Sequence, residues 1–161
     1  MSYRNKNDSK LAFVDMGTEM IKKVEDKLRD KEGLNNTMLH VNGQALITAL
    51  FGVGVANEAG LMHERGQATL RNGAFRTEEA TKAAIDNYSD LINNEWGQRW
   101  GEQLMTELGI NAGTNWTNNT TAQFLNGLQE RYTHTLCIKF KEFKSGDKFV
   151  KKYTKFINHE K

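Results

Sequence analysis

The chain contains no proline in its 161 residues. Proline removes a backbone hydrogen bond and clashes with the preceding turn, so its complete absence permits long, uninterrupted helices. Apolar residues recur at helical spacing over most of residues 8–132. The sequence therefore predicts a mainly α fold, a single helical domain over residues 1–161, in which residues 1–7 form a disordered leader.

Capping residues and glycines predict where the helices begin and end. We expect helices over about 8–31 and 37–51, then a break at the glycines of residues 52–54 and a third helix to about Glu64. Residues 66–76 are expected to form a polar loop. Thr77 is a candidate cap for a long helix to about Leu108, and Thr120 with Gln123 fits a capping box for a helix to about Tyr132. The expected apolar side of the long helix is Ile85, Ile92, Trp96, Trp100, Leu104 and Leu108.

The basic tail, residues 135–161, changes both period and charge. Leu136, Ile138 and Phe140 alternate with polar positions, and a turn signal at 145–147 precedes residues 149–156. This pattern predicts a short C-terminal β-hairpin or strand pair, with a final amphipathic helix as the alternative for the last segment. Eight lysines against three acids between 139 and 161 leave a local charge of +5. Such a surface suits nucleic acid, an anionic membrane or an acidic protein, although a solvated surface is the simpler interpretation.

Several classes of protein are disfavoured by composition. A single cysteine, Cys137, excludes an internal disulfide. The longest apolar run, residues 45–56, is too short to span a bilayer, so no transmembrane segment is expected. No ordinary signal peptide is visible at the N-terminus.

Polar residues are concentrated on one side of the expected long helix. Residues three, four and seven positions apart share a helix face. The stripe that this spacing defines contains Asp86, Asp90, Asn93, Asn94, Gly97 and Gly101. His40 and Gln44 lie one turn apart on the second helix, and His63 with Glu64 ends the third. These side chains suit a shared polar site, and a purely structural hydrogen-bond network is the alternative.

The segments HVNGQALITALFGVGVANEAGLMHE and SDLINNEWG resemble a family of bacterial domains found at the C-termini of polymorphic toxins and secreted proteins. The resemblance covers residues 37–101, the motif-bearing helical core. The matching positions are His40, Gln44, Ala45, Gly52, His63, Glu64, Asp90, Asn93, Asn94 and Gly97. The sequence departs from the family pattern where Met38-Leu39 replaces an aromatic-Arg pair and Gly43 replaces a tryptophan. No established reaction comes with this resemblance, although it implies a toxin context.

The residue chemistry predicts a hydrolase, and the resemblance implies that it belongs to a secreted antibacterial effector. The expected substrate is a peptidoglycan or lipid of the cell envelope. Glu64, at the end of a largely apolar helix, is the expected general acid or base, with a raised pKa. The expected catalytic residues are Glu64, His63, His40 and Asp90. The expected substrate-binding residues are Gln44, Asn93, Asn94 and Gly97, since amides orient substrates and stabilise developing negative charge.

Three alternatives remain open from the sequence. His40, His63 and Asp90 are alternative ligands for a divalent metal such as zinc, although no ordinary zinc-binding spacing is present. A nuclease toxin would use the basic tail, and a non-enzymatic phage or secretion-system binding module would use the polar stripe as structure. An effector of this kind would lie in the producer's cytoplasm with a cognate immunity protein. It would then be secreted or delivered into target cells without an ordinary signal peptide.

Overall fold

The computed structural model describes residues 14–25, 33–71 and 78–160. Within those ranges the side chains of residues 64–71, 78–84 and 86 lie outside the description. The expected leader at 1–7 and the Thr77 cap therefore fall outside the described residues, as do the side chains of Glu64 and Asp86.

The described chain is mainly helical, with six helices, and the predicted mainly α class is confirmed. Helix α1 covers residues 14–22, and residue 14 is the first residue that the structure describes. The others are α2 (Leu34–Phe51), α3 (Val53–Arg71), α4 (Glu78–Leu108), α5 (Asn118–Leu136) and α6 (Lys148–Glu160). None of these described helices combines the length and apolar character that a membrane span requires.

Helix α2 is the central element, because it packs against both α3 and α4. Met38, Ala45 and Leu46 are fully buried on it, and polar Asn42 and Thr48 are buried among them. The helix ends where the sequence predicted a break, at Gly52, whose φ of 93° is a left-handed conformation that glycine adopts without strain. Helix α3 then begins at Val53.

Two glycines allow α2 and α4 to approach closely. A Cβ atom on Gly97 would overlap the carbonyl oxygen of Val41, and one on Gly101 would lie 2.8 Å from the carbonyl oxygen of Ala45. Both contacts would be with backbone atoms, which cannot move aside as a flexible side chain can. Gly97 and Gly101 therefore determine how α4 lies on α2.

The apolar core lies towards the C-terminal half of α4. Trp100 and Leu104 pack there with residues of α5 and α6, including Phe124, Leu128 and Ile157. Helix α5 begins two residues earlier than predicted, because Thr117 is its cap and its side-chain oxygen accepts a hydrogen bond from the Thr120 amide at 3.1 Å. The proposed capping box at Thr120 is therefore wrong.

The tail contains a helix where the sequence favoured a returning strand. Residues 149–156 belong to α6, whose buried residues Val150, Tyr153, Thr154 and Ile157 follow helical spacing. Residues 138–144 lie outside the helices, and residues 139–141 pair with residues 23–25, just after α1. The Glu25 amide donates to the Lys139 carbonyl and the Lys141 amide to the Lys23 carbonyl, around one isolated bridge between Val24 and Phe140. No strand, and so no β-hairpin, occurs among the described residues.

Two further expectations are corrected. The polar segment expected at 66–76 is helical as far as Arg71, so α3 is a turn or more longer than predicted. On α4, three residues assigned to its apolar side are exposed: Ile85 by 60%, Ile92 by 38% and Trp96 by 43%. On the side that carries these residues, only the C-terminal half of α4 is packed against the core. The opposite face of the N-terminal half, here called its inner face, contacts α2 instead.

Candidate functional site

His40 lies between two polar residues of α4. Its Nε2 is 3.3 Å from Asp90 Oδ1, and its Nδ1 is 3.0 Å from Asn94 Oδ1. The side chains of His40 and Asp90 are 16% and 13% exposed, and the whole Asn94 residue is 4% exposed. These three residues, here called the His40 cluster, bring together positions that are 50 or more residues apart in the sequence.

Helix geometry explains why the cluster forms. Asp90 and Asn94 are one turn apart on α4 and so face the same side. Asn36 is one turn before His40 on α2, and its amide donates to Asp90 Oδ1 at 2.9 Å. The Asp90 oxygen is therefore held by two side chains of α2, which fixes the register of α2 against α4 at their polar ends.

Helix α3 adds a second histidine. The His63 ring centroid lies 6.2 Å from that of His40, with the two ring planes tilted by 59°. His63 is exposed, unlike His40. Glu64 follows it on α3, and its side chain lies outside the described residues. The structure thus places His40, His63, Asp90 and Asn94 near one another, whereas their convergence with Glu64 on one catalytic pocket stays a prediction.

A pair of glutamines extends the polar contacts along α2 and α4. Gln98 Nε2 donates to Gln44 Oε1 at 3.0 Å. Gly60 of α3 lies against both helices, since a Cβ atom there would be 3.0 Å from Asn94 Nδ2 and 3.1 Å from Gln44 Nε2. The absence of a side chain at Gly60 therefore lets the α3 backbone reach the amide groups of the site.

A cleft opens beside these amides between α3 and α4. Its volume is about 280 Å³. The lining residues are Asn57, Gly60, Leu61, Leu91, Asn94, Glu95 and Gln98. We call it the α3–α4 cleft. Asn94 belongs to both the His40 cluster and this cleft, whereas His40, His63 and Asp90 are not among the residues that line it.

Two of the expected substrate-binding residues do not lie in this site as predicted. Gly97 is buried against the α2 backbone at Val41, so it serves helix packing and offers no surface to a substrate. Asn93 is half-buried, and it is not among the residues that line the α3–α4 cleft. Asn94 and Gln44 are the amides that the helix faces bring to the site.

The metal interpretation gains no support from the geometry. Among the residues whose side chains are described, no group of three or more His, Cys, Asp or Glu side chains is arranged to hold a metal ion. His40, His63 and Asp90 are all in that part of the chain. Asp90 Oδ1 accepts from Asn36 and faces His40, which is the environment of a hydrogen-bonded carboxylate.

The sequence interpretation missed Asn36, Asn57, Gly60 and Gln98. A signal existed for two of them, because Asn36 precedes His40 by one turn and Gln98 follows Asn94 by one turn. Asn57 and Gly60 had no such signal, since their side of α3 depends on how that helix lies against α4. Local spacing contains no information about that packing.

Three side chains with shifted pKa values lie away from the site. Burial raises the pKa of Tyr132 and of Tyr153 well above the ordinary tyrosine value. A hydrogen bond from the Lys144 amide, followed by the nearby Lys23 ammonium, holds the pKa of Asp147 below its usual range. These groups lie in the tail and the core, and none of them lines the α3–α4 cleft.

The basic tail presents lysines to solvent and aromatic rings to the interior. Lys148, Lys151, Lys152 and Lys155 are exposed on one side of α6. On the other side, the rings of Phe149, Tyr153 and Phe156 stack in sequence at centroid separations of 5.4 and 5.8 Å. These buried or half-buried rings are not available for stacking on nucleic-acid bases.

No family model, curated protein or solved structure matches the chain significantly.

Proposed function

We propose that the chain is a hydrolase domain of an antibacterial effector, acting on a peptidoglycan or lipid of the bacterial envelope through the site formed by α2, α3 and α4. The observation that supports this most is the contact of His40 with Asp90 and Asn94 in a largely desolvated position. Ionisable groups are expensive to bury, and apolar packing of similar volume is often as stable. We therefore infer that the His40 cluster serves the function of the chain.

In this proposal the cluster positions other groups. Both ring nitrogens of His40 face protein oxygens, so His40 fixes Asp90 and Asn94 in place. Proton transfer is assigned to Glu64, with the exposed His63 beside it on α3. The Glu64 carboxylate would take a proton from the attacking water and return it to the leaving group, which restores the enzyme. The Asn94 amide would donate a hydrogen bond to the negative charge that develops on the substrate.

The biological setting of the proposal follows from the toxin resemblance. The producing cell would hold the chain in its cytoplasm together with a cognate immunity protein. Delivery into a competitor would use a route other than an ordinary signal peptide. An envelope substrate predicts that the protein harms a bacterium only when it reaches the periplasmic side.

A second candidate is a non-enzymatic binding module. The observation in its favour is that His40 has both nitrogens engaged by Asp90 and Asn94, which suits a closed hydrogen-bond network as well as a positioning role. Gln44 and Gln98 are likewise paired with each other. In that case the network would specify the packing of α2 against α4, and loss of Glu64 would have no effect on activity.

Expression in a bacterial host, directed either to the cytoplasm or to the periplasm, tests the proposal. We expect growth arrest or lysis only with periplasmic targeting, and its loss in Glu64→Gln, which retains the shape of the side chain. Glu102→Gln, on an exposed part of α4, is the matched control and should remain toxic. Absence of toxicity in both compartments, or full toxicity of a folded Glu64→Gln variant, would favour the binding module. Cytoplasmic toxicity with loss of DNA or RNA would indicate the nuclease alternative.

A further inference from the structure

We propose that the α3–α4 cleft is a subsite for one neutral sugar ring of an envelope glycan. The inference rests on the proposed function and chooses between its two substrate classes, glycan and lipid. It is based on the size of the cleft, the chemistry of its walls and the orientation of the Asn94 amide.

The size of the cleft limits its occupant. A volume of about 280 Å³ lies just below the range of small-molecule pockets, which is roughly 300 to 1,000 Å³. Such a space accommodates one ring with its substituents. A longer ligand would therefore place one unit in the cleft and extend along the open surface.

The walls of the cleft are polar but not cationic. Asn57, Asn94 and Gln98 contribute amides, which both donate and accept hydrogen bonds. Leu61 and Leu91 contribute apolar contacts. An acyl chain would displace water from the amides without replacing their hydrogen bonds, which is unfavourable. A sugar ring has hydroxyl groups at its edge and C–H groups on its faces, and so complements both kinds of wall.

Charge argues against an anionic ligand. The described lining residues include no lysine, arginine or histidine, and their one ionisable member is Glu95. The Glu95 side chain is 62% exposed and is paired with Arg99 at 3.0 Å. A phosphate group would thus meet a carboxylate without a compensating cation from these residues.

The neighbouring contacts assign a direction to two of the amides. Asn94 Oδ1 faces His40 Nδ1, which leaves its Nδ2 on the side of Gly60. Gln98 uses its Nε2 to donate to Gln44, which leaves its Oε1 as an acceptor. A bound ring would therefore accept a hydrogen bond from Asn94 and donate one to Gln98, next to the His40 cluster.

Titration of the whole chain with N,N′,N″-triacetylchitotriose, followed by 15N–1H correlation spectra, tests the subsite. We expect saturable shifts at the Gly60 backbone amide and at the side-chain amides of Asn94 and Gln98. Asn57→Ala should weaken binding about fivefold to tenfold, the effect of losing one hydrogen bond. Asn57 is exposed, so this change should leave the rest of the spectrum intact. Asn119→Ala, exposed on α5, is the matched control and should bind like the parent.

The possible results separate this inference from the proposed function. Saturable sugar binding without toxicity would support the subsite and contradict the hydrolase. Periplasmic toxicity without any shift at Gly60, Asn94 and Gln98 would overturn the subsite and leave the hydrolase standing. A second titration uses vesicles of phosphatidylethanolamine and phosphatidylglycerol. Shifts at the same three residues with these vesicles, but not with the sugar, would assign the cleft to lipid and overturn the inference.

Discussion

The two parts of α4 on either side of Gly97, here called its N-terminal and C-terminal halves, have opposite environments. In the C-terminal half, Trp100 and Leu104 are 6% and 1% exposed and belong to the apolar core. In the N-terminal half, Ile92 and Trp96 are 38% and 43% exposed, although they continue the same apolar stripe. The inner face of that half carries polar Asp90 and Asn94, which contact His40 of α2.

This difference shows how one helix can serve both stability and a site. Helix α5 packs against α4 near Leu104, where a Cβ atom on Gly127 would overlap the leucine side chain. The N-terminal half contacts α2 and α3 through amides, a carboxylate and histidines. Folding free energy should therefore come mainly from the C-terminal half, whereas substitutions on the inner face of the N-terminal half should act mainly on function.

The largest expected difference in stability is between two residues of the same stripe. Leu104→Ala should lower the free energy of unfolding by about 2–5 kcal/mol, because it leaves a cavity in the packed half of α4. Ile92→Ala should change it by less than about 0.5 kcal/mol, because the side chain is already exposed. Chemical denaturation of the parent and both variants measures this. Equal losses in the two variants would show that the outer face of the N-terminal half is covered in solution.

The same stripe shows what the sequence could and could not predict about the fold. The 3.6-residue period of Ile85, Ile92, Trp96, Trp100 and Leu104 predicted the long helix. Periodicity does not reveal how far a neighbouring helix extends along that side, so the first three residues were wrongly assigned to the apolar side. The predicted β-hairpin in the tail was wrong for a related reason. Leu136 is the last residue of α5, whereas Ile138 and Phe140 lie outside the helices, and Phe140 forms its bridge with Val24, which is distant in sequence.

The site was more predictable on each helix than between helices. Spacing of four predicted that Asp90 and Asn94 share a face, and that His40 and Gln44 do. Their contact across α2 and α4 was expected from residue types alone, and the structure places His40 between Asp90 and Asn94. Gly97 was assigned to substrate, whereas its role is to bring the α4 backbone onto Val41. A glycine in a polar stripe looks the same in the sequence whether it admits a substrate or a neighbouring helix.

Gly97 gives the second prediction, at the boundary between the two halves. Gly97→Ala should lower the free energy of unfolding by about 1–3 kcal/mol, because the new methyl group overlaps the Val41 carbonyl and separates α2 from α4. The matched control is Gly54→Ala on α3, where a Cβ atom meets nothing within 4 Å. That change should be neutral or stabilise by up to about 1 kcal/mol, since it restricts the unfolded chain. If Gly97→Ala is as stable as Gly54→Ala, then the helices are not in close contact there.

The smallest expected effect is a difference in stability between substitutions at two buried tyrosines, Tyr132 on α5 and Tyr153 on α6. The Tyr132 hydroxyl donates to Asn42 Oδ1 at 2.8 Å, while Asn42 Nδ2 donates to Met20 Sδ. Tyr132→Phe removes the partner of a buried acceptor and should cost about 1 kcal/mol. The Tyr153 hydroxyl is equally enclosed, but it has no hydrogen-bond partner among the described residues.

Tyr153→Phe removes a polar atom that already lacks its hydrogen bond, so the free energy of unfolding should stay the same or rise. The two substitutions delete the same atom from similarly buried rings, at 1% and 3% exposure, so differences in apolar burial cancel. Urea unfolding curves of both variants against the parent provide the comparison. A loss in Tyr153→Phe equal to that in Tyr132→Phe would mean that the Tyr153 hydroxyl has a partner in solution, such as an ordered water. If Tyr132→Phe does not lower the free energy of unfolding, then Asn42 finds another donor. The hydrogen bond between α2 and α5 would in that case contribute little to stability.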